Sequence, residues 1–99
     1  VSGTGTEISF RLGPGTVEEA RLVAGRLAAV ATGCLEHVLF VDAEAGEYGC
    51  LATWASPGDA AAYAAGPHVA VVLDALEERT GRRPRVRTYT MEHQVPSDA

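Results

Sequence analysis

Between Glu7 and His93 the spacing of apolar residues switches from every second position to every third or fourth and back again, twice over. This switching constrains the fold more than any other feature, because each period belongs to one kind of element. Glu7-Ile-Ser-Phe-Arg-Leu12 alternates strictly, with Ile8, Phe10 and Leu12 on one side, as in a half-buried strand. Gly13-Pro-Gly15 ends it. Thr16, followed three residues later by Glu19, predicts a capping box at the start of a helix running to about Thr32. Val17, Ala20, Val23, Ala24, Leu27, Val30 and Ala31 share its apolar face, and Gly33 stops it. Cys34 to Asp42 is apolar on both sides, a turn follows, and Glu47 to Trp54 returns antiparallel. Ser56-Pro-Gly-Asp59 opens a second helix, broken or kinked at Gly66-Pro67, with Val69, Val72, Leu73 and Leu76 as its buried stripe and Gly81 as its cap. Arg85 to His93 alternates again.

The order β-α-β-β-α-β predicts an α+β, ferredoxin-like fold: a four-stranded antiparallel sheet with two helices on one face. Residues 7–93 read as a single domain, with 1–6 and 94–99 as flexible termini. Ninety-nine residues suffice for one core, at a size where dimerisation adds buried surface. The helices leave one sheet face open while strands two and three carry apolar residues on both faces. A homodimer through the open face is therefore expected.

A net charge of −5 argues against nucleic acid and against an anionic membrane surface as partner. The arginines at 82, 83, 85 and 87 read as the solvated edge of a turn entering a strand, with a phosphate-binding patch as the alternative. No apolar run nears the roughly 18 residues needed to span a bilayer, and no signal segment is visible, so a cytoplasmic location is expected. The basic residues are all arginine, asparagine is absent and alanine abounds, which fits a GC-rich bacterial genome. Cys34 and Cys50 form no CxxC. With the turn centred near Ala45 and Gly46, Cys50 faces a residue near Val41, far from Cys34, and both thiols are expected to be reduced.

No Ser-His-Asp order, glycine-rich phosphate loop or metal-ligand spacing appears. The chemistry concentrates instead in ATWASPGDAAAYAAGPHVAVV, Ala52 to Val72, where the only Trp adjoins a tract of alanines. Trp54 either fills the core or walls a pocket that the alanines leave open. Tyr63 reads equally as an amphipathic residue of the helix or as a hydroxyl aimed at a ligand. His68 occupies the first turn of the resumed helix or faces that pocket, and His37 reads as an interface or surface residue more readily than as a base.

Trp54, Ala55, Ser56, Gly66, Pro67 and His68, set in this order of elements, resemble the antibiotic-biosynthesis monooxygenase (ABM) superfamily of dimeric α/β barrels. The resemblance implies a homodimer with a pocket between sheet and helices, closed by the Trp. It includes cofactor-free oxygenases of aromatic polyketides and quinols, so it implies a monooxygenase acting on such a substrate without cofactor or metal. In that reading Trp54, His68 and Tyr63 carry the chemistry, and Tyr48, Phe10, His37, Arg87 and Val72 contact the substrate. The haem-degrading branch is set apart by a first-strand Asn and an axial His, where this chain has Ile8 and Val72. A non-catalytic dimeric module of the same fold, binding a small ligand or only assembling, is the alternative.

Overall fold

The computed structural model describes residues 2–96. Strand β1 (Ser2–Arg11) is followed by α1 (Val17–Val30), β2 (Glu36–Asp42), β3 (Glu47–Trp54), α2 (Pro57–Ala64), α3 (Pro67–Thr80) and β4 (Arg85–Glu92). The strands form one antiparallel sheet in the order β2-β3-β1-β4. This is the ferredoxin-like α+β arrangement expected from the periodicity. The second helix is broken into two, as Gly66-Pro67 implied: Gly66 is extended, and Pro67 starts α3 where a missing N–H costs nothing.

The N-terminal expectation is corrected. Residues 2–6 are not a loose terminus but the first half of the central strand, paired with β3 from Thr4 and with β4 from Ser2. Ser-Gly-Thr-Gly-Thr hides this because small residues carry no apolar alternation. Their size is what the position demands, since a Cβ on Gly5 would meet the side chains of Met91 and Leu51. The expected tail from Gln94 is irregular and exposed as far as Pro96, and the rest of it, like Val1, lies outside the described residues.

Thr16 does not cap α1 with its side chain. Its hydroxyl donates to the Gly13 carbonyl (2.6 Å), which uses its only proton, so Tyr48 O–H is the donor in the 2.8 Å contact between the two hydroxyls. Glu19 likewise leaves the capping box and pairs with Arg79 of α3 at 3.2 Å. By contrast, Gly81 adopts the left-handed cap, as expected, and Ser56 Oγ accepts from Asp59 N at 3.4 Å where the second helix was expected to open.

Register assigns the faces. Thr4, Thr6, Ile8 and Phe10 of β1, Tyr48, Cys50, Ala52 and Trp54 of β3, and His37, Leu39 and Val41 of β2 point toward the helices. The core fills this side: Ile8 and Leu27 are fully buried, joined by Phe10, Val72 and Leu73. Burying such side chains stabilises by roughly 1.5–3 kcal/mol each. Cys50 faces Leu39, two positions from the expected partner, because the turn spans residues 43–46. Both thiols are free, and burial pushes Cys50 up to about 11.

The 43–46 turn holds the β1–α1 connection. Gly46 has a left-handed φ of 66°, and its carbonyl accepts from Leu12 N (2.9 Å) and Gly13 N (3.3 Å). A Cβ there would run into the Gly13 backbone. Replacing Gly46 with Ala therefore combines backbone strain with a clash against main chain that cannot swing aside, and should destabilise by at least about 2 kcal/mol. A urea midpoint equal to wild type would contradict this packing.

Candidate functional site

The helix-facing side of the sheet is apolar except toward the end at which β3 finishes. There, three adjacent strands each place a polar atom in the interior without a protein partner: His37 Nε2 from β2, Trp54 Nε1 from β3 and Thr6 Oγ1 from β1. Register puts them close. His37 and Thr6 flank Ala52 on either side, and Trp54 lies two residues further along the same face. Each buried donor or acceptor left unpaired costs roughly 1–3 kcal/mol, so this patch rewards any guest able to pair with it.

Helix α2 roofs this end, packing over β1 and β3. It buries Ala60 and Tyr63, and the Tyr63 ring lies 5.1 Å from that of Trp54 at 44°. The alanine tract thus leaves less space beside the indole than the sequence suggests, because Tyr63 occupies it. Trp54 is 1% exposed and Thr6 fully buried. Burial, then the nearby Cys50 and Cys34 thiols, push the Tyr63 hydroxyl up to about 12, which keeps it an O–H donor at neutral pH. Burial lowers His37 below the ordinary histidine value, so its imidazole is neutral.

Two cavities adjoin this cluster. One of about 450 Å³ opens at the strand ends, walled by Thr4, Leu35, Trp54, Met91 and His93 among others. It borders Trp54 from outside the helix layer. The second, of about 230 Å³, lies between the helices and brings Tyr63 together with His68, Asp59 and Thr32. His68 is exposed in the first turn of α3, on the outer side of Tyr63. Among the described residues no cluster of three or more His, Cys, Asp or Glu side chains could hold a metal ion.

The other expected substrate contacts lie elsewhere. Tyr48 is six residues from Trp54 along β3, about 20 Å away, and its ring packs 5.5 Å from Phe10 while its hydroxyl is spent on Thr16. The pair closes the far end of the core. Arg87 lies on the opposite sheet face, across from Glu7, with its guanidinium 5.2 Å from the Tyr89 ring centre. Val72 is buried against α1 rather than near the indole. His37, read as a surface or interface residue, instead faces the helices, because β2 runs in the register that puts it beside Ala52. Thr6 escaped the sequence reading, although extending the Ile8-Phe10 parity backward places it on the buried face.

No family model matches this sequence, and no curated protein matches it significantly. Solved structures do. The monooxygenase ActVA-Orf6 of Streptomyces coelicolor, solved with the ligand nanaomycin D, superposes with a TM-score of 0.72 at 20% identity, covering 96% of this chain and 93% of that one. SnoaB of Streptomyces nogalater, a cofactor-independent oxygenase, gives 0.66 at 17% identity, covering 99% and 98%. A candidate antibiotic biosynthesis monooxygenase from Chloroflexus aurantiacus gives 0.65 at 17% identity, covering 95% and 97%. At these identities the likeness is one of fold. By element order, sheet topology and superposition, the chain has the fold of the antibiotic biosynthesis monooxygenase superfamily.

Proposed function

We propose that the chain is a cofactor-independent monooxygenase acting on a small aromatic polyketide or quinol. The observation that carries this reading is the set of three unpartnered polar atoms on one buried face beside Trp54. An electron-rich phenol or hydroquinone fits them: a flat apolar body for the Trp54 and Tyr63 rings, and oxygens for the indole N–H and the Thr6 hydroxyl. Removing a proton from such a substrate gives an anion that passes one electron to dioxygen. Recombination of the resulting pair forms the new C–O bond as a peroxide anion; the proton held by the base returns to it, and loss of the hydrogen on the same carbon breaks the O–O bond, releasing water and leaving one oxygen on the product. The protein's share is to exclude water, to hold the oxyanion and to accept the proton.

Trp54 Nε1–H and the Tyr63 O–H are the donors for the oxyanion in this reading. The proton goes to His37 Nε2 in its Nδ1–H tautomer, rather than to His68, which stands at the surface beyond Tyr63. Burial opposes charging His37 alone, and the oxyanion formed beside it offsets that cost. In this reading the substrate enters by the 450 Å³ cavity at the strand ends, which Trp54 borders.

The working unit in this proposal is a cytoplasmic homodimer of single domains. Its support is the open sheet face, where Phe40 is 51% and Met91 36% exposed beside the half-buried Val38 and Leu51. No helix among the described residues is long and apolar enough to cross a membrane. Sedimentation at micromolar concentration should show twice the chain mass, and Phe40→Asp should give a folded monomer. A wild-type monomer would remove this part of the proposal.

One observation favours the second reading, a non-catalytic ligand-binding or assembly module: Tyr63 already packs on Trp54. Oxygen uptake with a panel of anthrones and hydroquinones separates the two. Turnover should fall about tenfold in Trp54→Phe and about a hundredfold in His37→Gln, the usual minimum for loss of a general base. Folded protein without turnover on any substrate would favour the module.

The half-buried His37, with its Nε2 in the interior, also predicts a pH dependence of stability. Its pKa is lower folded than the unfolded value of about 6.5, so below that pH the unfolded chain binds more protons and stability falls as pH falls. The melting temperature should drop between pH 7.5 and 5, and less steeply in His37→Gln. Equal slopes in the two proteins would show that His37 is not held neutral by the fold.

A further inference from the structure

Five of the chain's eight basic residues lie between positions 79 and 87, in a protein of net charge −5. Three of these, Arg82, Arg83 and Arg85, line a cleft of about 790 Å³ together with Arg11 of β1. The cleft lies at the end of the sheet away from Trp54, about 23 Å along β3 from the indole. Glu47 is the one carboxylate in its lining.

The charges do not cancel. Arg83 is spent on Asp74 (2.8 Å) and Glu77 (2.9 Å), and Arg11 Nε stands 4.0 Å from Glu47. Arg82 and Arg85 have no carboxylate within ion-pair distance among the described residues. The C-terminus of α3 at Thr80 contributes about half a negative charge. Arg11 and Glu47 cancel, Arg83 is outweighed by its two carboxylates, and the helix end subtracts a further half charge, so the local excess is about +0.5, carried by Arg82 and Arg85. The Thr80 hydroxyl shares its one proton between the carbonyls of Leu76 and Arg82 and accepts from Arg82 N (3.2 Å), which fixes the turn that carries the arginines. Phe10 and the buried Pro84 give the cleft an apolar wall, and Arg85 stands opposite Ser9 in the register.

We propose that this cleft is a second ligand site, which binds a small organic phosphate. Its phosphoryl group is held between the Arg82 and Arg85 guanidinium forks, and its apolar portion rests on Phe10 and Pro84. Two forks free of carboxylates suit a dianion with several acceptor oxygens better than a single carboxylate. A nucleic acid strand would need a continuous basic track, which a chain of this net charge does not offer. The site is separate from the Trp54 cluster and does not depend on the oxygenase reading.

The probe is 1-naphthyl phosphate, titrated into the full chain at low salt, with 1-naphthol as the uncharged control. Backbone amide shifts and calorimetry report binding. Saturable binding of the phosphate ester is expected, with shifts at Ser9, Arg82 and Arg85, a loss of tenfold or more in affinity in Arg82→Gln/Arg85→Gln, and wild-type affinity in Trp54→Phe. Both arginines are exposed, so circular dichroism should confirm that the double variant is folded; if it is not, the two single variants make the same comparison. The proposal is overturned by absence of saturation at millimolar ester, by equal affinity in the arginine variants, or by shifts centred on Trp54 and Tyr63. Binding of duplex DNA alone, or a dimer that loosens when the arginines are replaced, would also overturn it.

Discussion

The rest of the molecule hangs on the central position of β1. A strand bonded on both edges has nowhere to send an unpaired N–H or C=O, so it must run straight and in register for its whole length. From Thr4 to Ser9 this chain does so, with β3 on one side and β4 on the other. That demand explains the composition of its first half. Glycine at 5 lets the side chains of Met91 and Leu51 close over the outer face, while threonines at 4 and 6 turn the opposite way, into the space under α2. The same strand therefore sets both the small-residue outer surface and the polar floor of the candidate site.

Element order, the helix break and the buried stripes were legible because each rests on a periodicity or a backbone rule local in sequence. Phe10 and Ile8 announce their face by alternation, and Gly81 and Ser56 announce their caps by type. What escaped depends on tertiary partners. Thr16 has the residue type of an N-cap, yet Tyr48, distant in sequence, claims its hydroxyl. The first strand begins five residues earlier than its apolar pattern, since pairing from both sides substitutes for side-chain burial. His37 sits in a segment apolar on both faces, where alternation gives no parity, and only the register against Ala52 decides which way it points.

The candidate site was half legible for the same reason. Trp54 and Tyr63 stood out as large residues in an alanine-rich stretch, and the structure brings their rings together. Tyr48 and Phe10 belong to strands of the cluster but to their far end, and Arg87 belongs to β4 and the other face, a separation that follows from strand length and pleat once the register is known. Thr6 joins the cluster on the strength of parity alone.

The break at Gly66-Pro67 has a consequence for how sequences of this fold can diverge. Because α2 ends there, its eight residues are oriented by Ser56 at one end and by a free bend at the other, and not by the docking of α3 on α1. The roof over the indole is thus an interchangeable part. Exchanging Tyr63 for a smaller side chain would open space above Trp54 at the edge of the core, while Val69, Leu73 and Leu76 still anchor α3, so one scaffold can accommodate differently shaped guests by repacking α2 alone.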